Sequence, residues 1–147
     1  MKSTGVKIVI PAERRWLEFM DTSIDSILRT IGIENLPELN FAIREALINA
    51  MRVSESLNKD NVVSIETQVT VSESCLEIRI LDEGKGIPSG WQERINTITC
   101  EEFVRGTSGR GLFFIKAYMD EMHSEIASDG RHVFIMRKNF WGEKNEQ

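Results

Sequence analysis

Leu39-Asn40-Phe41-Ala42-Ile43-Arg44-Glu45-Ala46-Leu47-Ile48-Asn49-Ala50 is the stretch on which the fold turns. Leu39, Ala42, Ile43, Ala46, Leu47 and Ala50 recur at steps of three and four, which makes one apolar stripe on a helix. Asn35, followed three residues later by Glu38, supplies a capping-box pattern ahead of it, so the helix is predicted to run to about Val53. Glu45 and Asn49 are four apart and share a face. The small residues Ala42, Ala46 and Ala50 around them let a ligand come close. An amide oxygen suits a hard cation such as Mg²⁺. A carboxylate one turn away can take a proton from a hydroxyl or water. Taken alone, the pair reads first as a solvated helix face, since Glu and Asn pairs are common.

Toward the N-terminus, Val6 to Ile10 reads as a short strand that Pro11 ends, and Pro11 can open a helix. Trp16, Leu17, Met20, Ile24, Ile27, Leu28 and Ile31 form a second stripe. Asp21-Thr22-Ser23 is the place where short polar side chains could interrupt it, and Gly32 is a natural stop. Toward the C-terminus, Ser54 to Asn61 is polar and reads as a loop. Val63, Ile65, Thr67, Val69 and Val71 alternate with polar neighbours, as do Leu76, Ile78 and Ile80 after a Ser72-Glu73-Ser74 turn, which predicts an antiparallel hairpin. Trp91 to Glu102 is irregular or a short helix; Leu112, Ile115, Met119 and Met122 restore helical period. Asp129-Gly130 turns the chain into a last strand, Val133 to Met136. The expected architecture is an α+β two-layer sandwich, one helical layer on a mixed, mostly antiparallel sheet. It forms one domain over residues 6–140, with 141–147 as a frayed tail.

Composition agrees. The 147 residues include 18 basic and 23 acidic ones, a formal charge of −5, with 41% apolar and 28% charged residues. That is the profile of one soluble domain long enough for a single core. The acidic balance argues against non-specific nucleic-acid binding. No apolar run reaches the ~20 residues a membrane span needs, and the short N-terminal run is no signal peptide. The expected compartment is the cytoplasm. Cys75, Cys100, His123 and His132 show no short metal-ligand spacing. They read as ordinary thiols and as structural or exposed histidines.

Two glycine-rich segments complete the pattern. Asp82-Glu83-Gly84-Lys85-Gly86 closes a predicted strand; alone it reads as an ordinary glycine turn, or with Asp82 as a partly buried carboxylate that could accept from a base amino group. Arg105-Gly106-Thr107-Ser108-Gly109-Arg110-Gly111-Leu112 precedes a helical stripe; alone it reads as a surface loop, or as a loop whose amides, with the free N–H groups of the helix start, can surround phosphates. Arg105 and Arg110 add charge and paired donors. No Lys-Ser/Thr follows the glycines, which excludes a P-loop, and no strand directly precedes them, which excludes a dinucleotide fingerprint.

In this order, Glu45-Ala46-Leu47-Ile48-Asn49-Ala50, Asp82-Glu83-Gly84-Lys85-Gly86-Ile87-Pro88 and Gly109-Arg110-Gly111-Leu112-Phe113-Phe114-Ile115 with Met119-Asp120-Glu121 resemble the motifs of the histidine-kinase-like (Bergerat) ATPase fold. The chain most resembles the anti-sigma factor serine/threonine kinases, from about Val6 to Arg137. The resemblance implies a cofactor set of ATP and Mg²⁺. Asp82 would hold the adenine amino group, with Gly84 and Gly86 shaping the pocket. Asn49 would hold Mg²⁺. Arg105, Thr107, Ser108, Gly109, Arg110, Gly111 and Leu112 would wrap the phosphates. Glu45 would be the general base toward a Ser or Thr hydroxyl. It further implies an anti-anti-sigma protein as phosphoacceptor, a sigma factor as the sequestered partner, and a homodimer. Two stretches depart from the pattern. Met51-Arg52-Val53-Ser54 has no His, and Gly130-Arg131-His132-Val133 lacks the hydroxyls of the Gly-Thr-Thr-Val found in relatives.

Other readings on the same fold make different demands. An autonomous histidine kinase needs a phosphoacceptor His upstream, and both histidines lie after the last glycine motif. Gyrase-like ATPases need a second domain for which this chain is too short. A non-catalytic nucleotide-binding module that sequesters a regulator would have no use for Glu45. A switch kinase acting on another regulator would keep it.

Overall fold

The computed structural model describes residues 3–33, 37–55, 63–73, 75–84 and 110–140. β1 (Ser3–Pro11) leads through a 3-10 turn (Arg14–Trp16) into α1 (Leu17–Thr30), followed by α2 (Pro37–Glu55). Then come β2 (Ser64–Ser72), β3 (Cys75–Asp82), α3 (Arg110–Tyr118), β4 (Glu121–Ile126) and β5 (His132–Asn139). The strands make one sheet in the order β1-β2-β3-β5-β4, each neighbouring pair antiparallel. With helices on one face, this is the α+β two-layer sandwich that the sequence predicts.

Side-chain alternation builds the interface between the layers. Thr67 lies opposite Ile80 and Val69 opposite Ile78 across β2 and β3, while Phe134 and Met136 of β5 lie opposite Ile80 and Ile78. All are buried on one face. Onto them α2 lays Leu39, Ile43, Leu47 and Met51, at most 2% exposed. Each such side chain contributes roughly 1.5–3 kcal/mol by leaving water. α1 adds Met20, Ile24 and Leu28 to the same core.

The other face of the sheet is mostly polar, with a small cluster of Leu81, Val133 and Ile135 against Ala127 and an exposed Val9 on β1. Glu77 faces Arg137 directly across β3 and β5. It accepts from Arg137 Nε at 2.7 Å and from Arg79 Nε at 2.9 Å. Burial pushes the Glu77 carboxyl up, but the hydrogen bonds and charges of Arg137 and Arg79 outweigh it and hold the group below the usual carboxylate range.

Four local expectations are corrected. Pro11 closes β1 and does not open α1; Glu13 stays extended (φ −126°, ψ 137°) and the chain passes through the 3-10 turn first. Asp21-Thr22-Ser23 does not interrupt α1, because the Asp21 carboxylate reaches across to Arg44 of α2. Ser54 is helical and buried, its hydroxyl donating to the Ala50 carbonyl at 2.9 Å, so α2 outruns the expected loop start. Finally, α3 ends at Tyr118, and Met122 belongs to β4, a strand absent from the sequence reading. Met122 sits opposite Met136 on the helix-covered face, so its spacing from Met119 imitates a helical step. The calls on Asn35, on Trp91 to Glu102 and on 141–147 lie outside the described residues. Among the described residues no helix is long and apolar enough to cross a membrane.

Candidate functional site

α2 crosses the sheet where β3 ends, and a cleft of about 310 Å³ opens between them. Ala46, Asn49, Ala50 and Val53 form its α2 wall. These positions continue the helical stripe by one turn, with small residues at the centre. Ile80, Asp82, His132 and Phe134 come from the sheet, and Leu112 from α3.

Asp82 ends the apolar row of β3. Alternation from Ile78 and Ile80 puts it on the helix-covered face, 2% exposed. A carboxylate buried there is costly unless it is hydrogen-bonded. The Gly84 backbone N–H donates to Oδ1 at 2.8 Å. His132 Nδ1 lies 3.1 Å from Oδ2. His132 is the residue directly opposite Asp82 in the β3–β5 ladder and is 4% exposed. Its other ring nitrogen, Nε2, is 2.6 Å from Ser124 Oγ on β4. A carboxylate has about four acceptor positions. Among the described residues two are used, and Asp82 lines the cleft. Gly84 is required by space. A β-carbon there would overlap Val53 Cγ1 and lie 3.1 Å from Asp82 Oδ1.

Glu45 occupies the α2 turn before Asn49, where α3 begins. A β-carbon on Gly111 would sit 2.7 Å from Glu45 Oε2 and 3.3 Å from its Cβ. Glycine therefore lets the first turn of α3 come up against Glu45. The N-terminal end of a helix favours carboxylates and phosphates alike. Asn49 Oδ1 accepts a long hydrogen bond, 3.4 Å, from Arg52 Nη1. Among the described residues no group of three or more His, Cys, Asp or Glu is placed to hold a metal ion. A divalent cation would thus combine the Asn49 amide oxygen with oxygens of an anionic ligand. That fits Mg²⁺, which keeps much of its water and takes few protein ligands.

The structure brings Asn49, Asp82 and Leu112 to one cleft and packs Gly84 and Gly111 against α2. Arg110 opens α3. Gly86, Arg105, Thr107, Ser108 and Gly109 lie outside the described residues, as does Cys100. Cys75 is half-buried at the start of β3, and burial raises its thiol. His132 is buried and lines the cleft beside Asp82. Sequence reasoning missed that placement, together with Ser124, Arg52 and Val53. Val53 and Arg52 were within reach, one helical turn beyond Asn49. His132 and Ser124 required the strand register.

Over residues 11–138 the sequence matches the family described as histidine kinase-like ATPase domain. No curated protein matches the chain.

Proposed function

Since the chain belongs to the histidine kinase-like ATPase domain family, we propose that it binds ATP with Mg²⁺ in the cleft under α2 and phosphorylates a serine or threonine of a partner protein. The observation that carries this reading is the convergence of Asn49 and the buried, incompletely used carboxylate of Asp82 on one cleft, with Glu45 one turn away beside the start of α3. Asp82 would accept from the adenine amino group, and Asn49 would hold the cation. The cation, when bound, neutralises phosphate charge. Glu45 would receive the proton of the acceptor hydroxyl as its oxygen bonds to the γ-phosphorus and the β–γ bridging oxygen leaves. Catalysis of this kind comes mainly from positioning and charge stabilisation. A carboxylate is a weak base toward a hydroxyl, so turnover is modest.

Resemblance to the anti-sigma factor kinases extends the proposal to partners. The acceptor is an anti-anti-sigma protein, the sequestered protein is a sigma factor, and the kinase is a homodimer. Phosphate adds up to two negative charges to the acceptor. Against an acidic chain of net charge −5 this would weaken the complex and free the kinase for its other partner.

The test is incubation of the protein with Mg-ATP and candidate anti-anti-sigma proteins, with mass spectrometry of the acceptor. Phosphate on a Ser or Thr is the expected result, and Glu45→Ala should keep ATP binding while abolishing transfer. ATP binding without transfer to any acceptor would favour the sequestering module instead. No response to adenine nucleotides in the presence of Mg²⁺ would end the nucleotide reading.

A further inference from the structure

We propose that His132 and Ser124 set the base selectivity of the cleft by holding Asp82 in one orientation, a role that rests on the adenine-nucleotide reading above. Asp82, His132 and Ser124 sit on three successive strands, β3, β5 and β4. His132 is directly opposite Asp82, and Ser124 is its diagonal neighbour, two residues along from Ile126. The side chains of His132 and Asp82 are 5% and 3% exposed.

The chemistry of the three groups orders their hydrogens. A carboxylate accepts only, so the 3.1 Å contact puts a hydrogen on His132 Nδ1. In the neutral ring Nε2 is then an acceptor, and the Ser124 hydroxyl donates to it over 2.6 Å. Both ring nitrogens are thereby used within the protein. His132 lines the cleft yet offers a ligand no polar atom. Discrimination among bases falls to Asp82, whose Oδ1 is fixed by the Gly84 N–H and whose Oδ2 is fixed by the ring. A fixed acceptor selects a base edge that carries an amino group. It repels one that presents a carbonyl oxygen at the same place.

Asp82 decides the tautomer, and the Ser124 hydroxyl, which can donate or accept, fixes the plane of the ring by holding Nε2. Without that hydroxyl the hydrogen stays on Nδ1, but the ring loses the contact that keeps it aimed at Oδ2. His132 and Ser124 are positioning residues, since neither needs to touch the nucleotide through a polar atom.

The test compares Mg²⁺-dependent affinity for ATP and for inosine triphosphate, which carries a carbonyl where adenine carries its amino group. Inorganic tripolyphosphate reports the phosphate end. His132→Ala should reduce the preference for ATP over inosine triphosphate about tenfold, with tripolyphosphate binding unchanged. His132→Asn, whose amide nitrogen takes the place of Nδ1, should restore it to within about threefold of the parent. Ser124→Ala keeps the ring and should lower the preference about threefold. Its His132 ¹⁵N spectrum should keep the hydrogen on Nδ1, because Asp82 still faces that nitrogen. An unchanged preference in both His132→Ala and Ser124→Ala, while the parent protein binds ATP, would overturn the assignment, as would a parent spectrum with the hydrogen on Nε2. A parent protein that binds neither nucleotide would instead remove the reading on which the proposal stands.

Discussion

Glu77 and Asp82 belong to the same strand and have opposite fates. Glu77 lies on the open face of β3, between Arg79 and Arg137, with both guanidinium groups donating to it. Asp82 lies on the helix-covered face and, among the described residues, is partnered by a backbone N–H and a histidine ring rather than an arginine. Charge pairing satisfies Glu77 within the protein, so it serves the sheet. The lighter partnership at Asp82 leaves acceptor capacity in a cleft, so it can serve a ligand. Odd and even positions of one strand thus divide structure from binding, and the strand's period of two makes the division.

This contrast can be broken most severely at Asp82. Asp82→Asn keeps the shape but turns one acceptor into a donor. ATP affinity should fall about a hundredfold, measured by calorimetric titration with Mg²⁺. Next is Gly84→Ala, which drives a β-carbon into Val53. It should destabilise the fold by about 2 kcal/mol. In chemical denaturation, a concurrent Val53→Ala should return part of that loss as a measurable coupling.

At the other carboxylate the effects shrink. Glu77→Gln weakens a partly buried network and should cost about 0.5–1 kcal/mol at pH 7. The sign in acid follows from its depressed folded-state pKa. The contribution is fully present above the ordinary glutamate value of about 4.3 and is lost as pH falls through the lower folded value. Denaturation curves of the parent and the variant should therefore converge in acid. Divergence there would place the network's contribution elsewhere. Smallest is Thr67, on the same buried face as Asp82; the Thr67 Oγ1 has no hydrogen-bond partner among the described residues. Thr67→Val should be neutral or stabilise by up to about 1 kcal/mol, read as a small rise in Tm.

The layers of this fold were legible because helical and strand periods in α1, α2, β2 and β3 are long and clean. Glu45, Asn49 and Asp82 were legible for a related reason. Each is a polar residue at a defined phase of such a pattern, so its face follows from its neighbours. β4 was hidden, since Glu121-Met122-His123-Ser124-Glu125-Ile126 is polar at most positions and Met122 continues the preceding helical spacing. His132 was hidden for a deeper reason. Its sequence neighbours do not indicate that it faces Asp82, fifty residues away, because that depends on which residue of β5 stands opposite which residue of β3.

The facing pair has a consequence for folding as well as for binding. A β5 strand displaced by one residue would turn His132 to the opposite side of the sheet and bring Val133 toward the helices. Such a misaligned chain could still collapse, but Asp82 would be stranded without its ring. Correct alignment of β5 and completion of the cleft are therefore one event, and a ligand that reads Asp82 also proofreads the sheet.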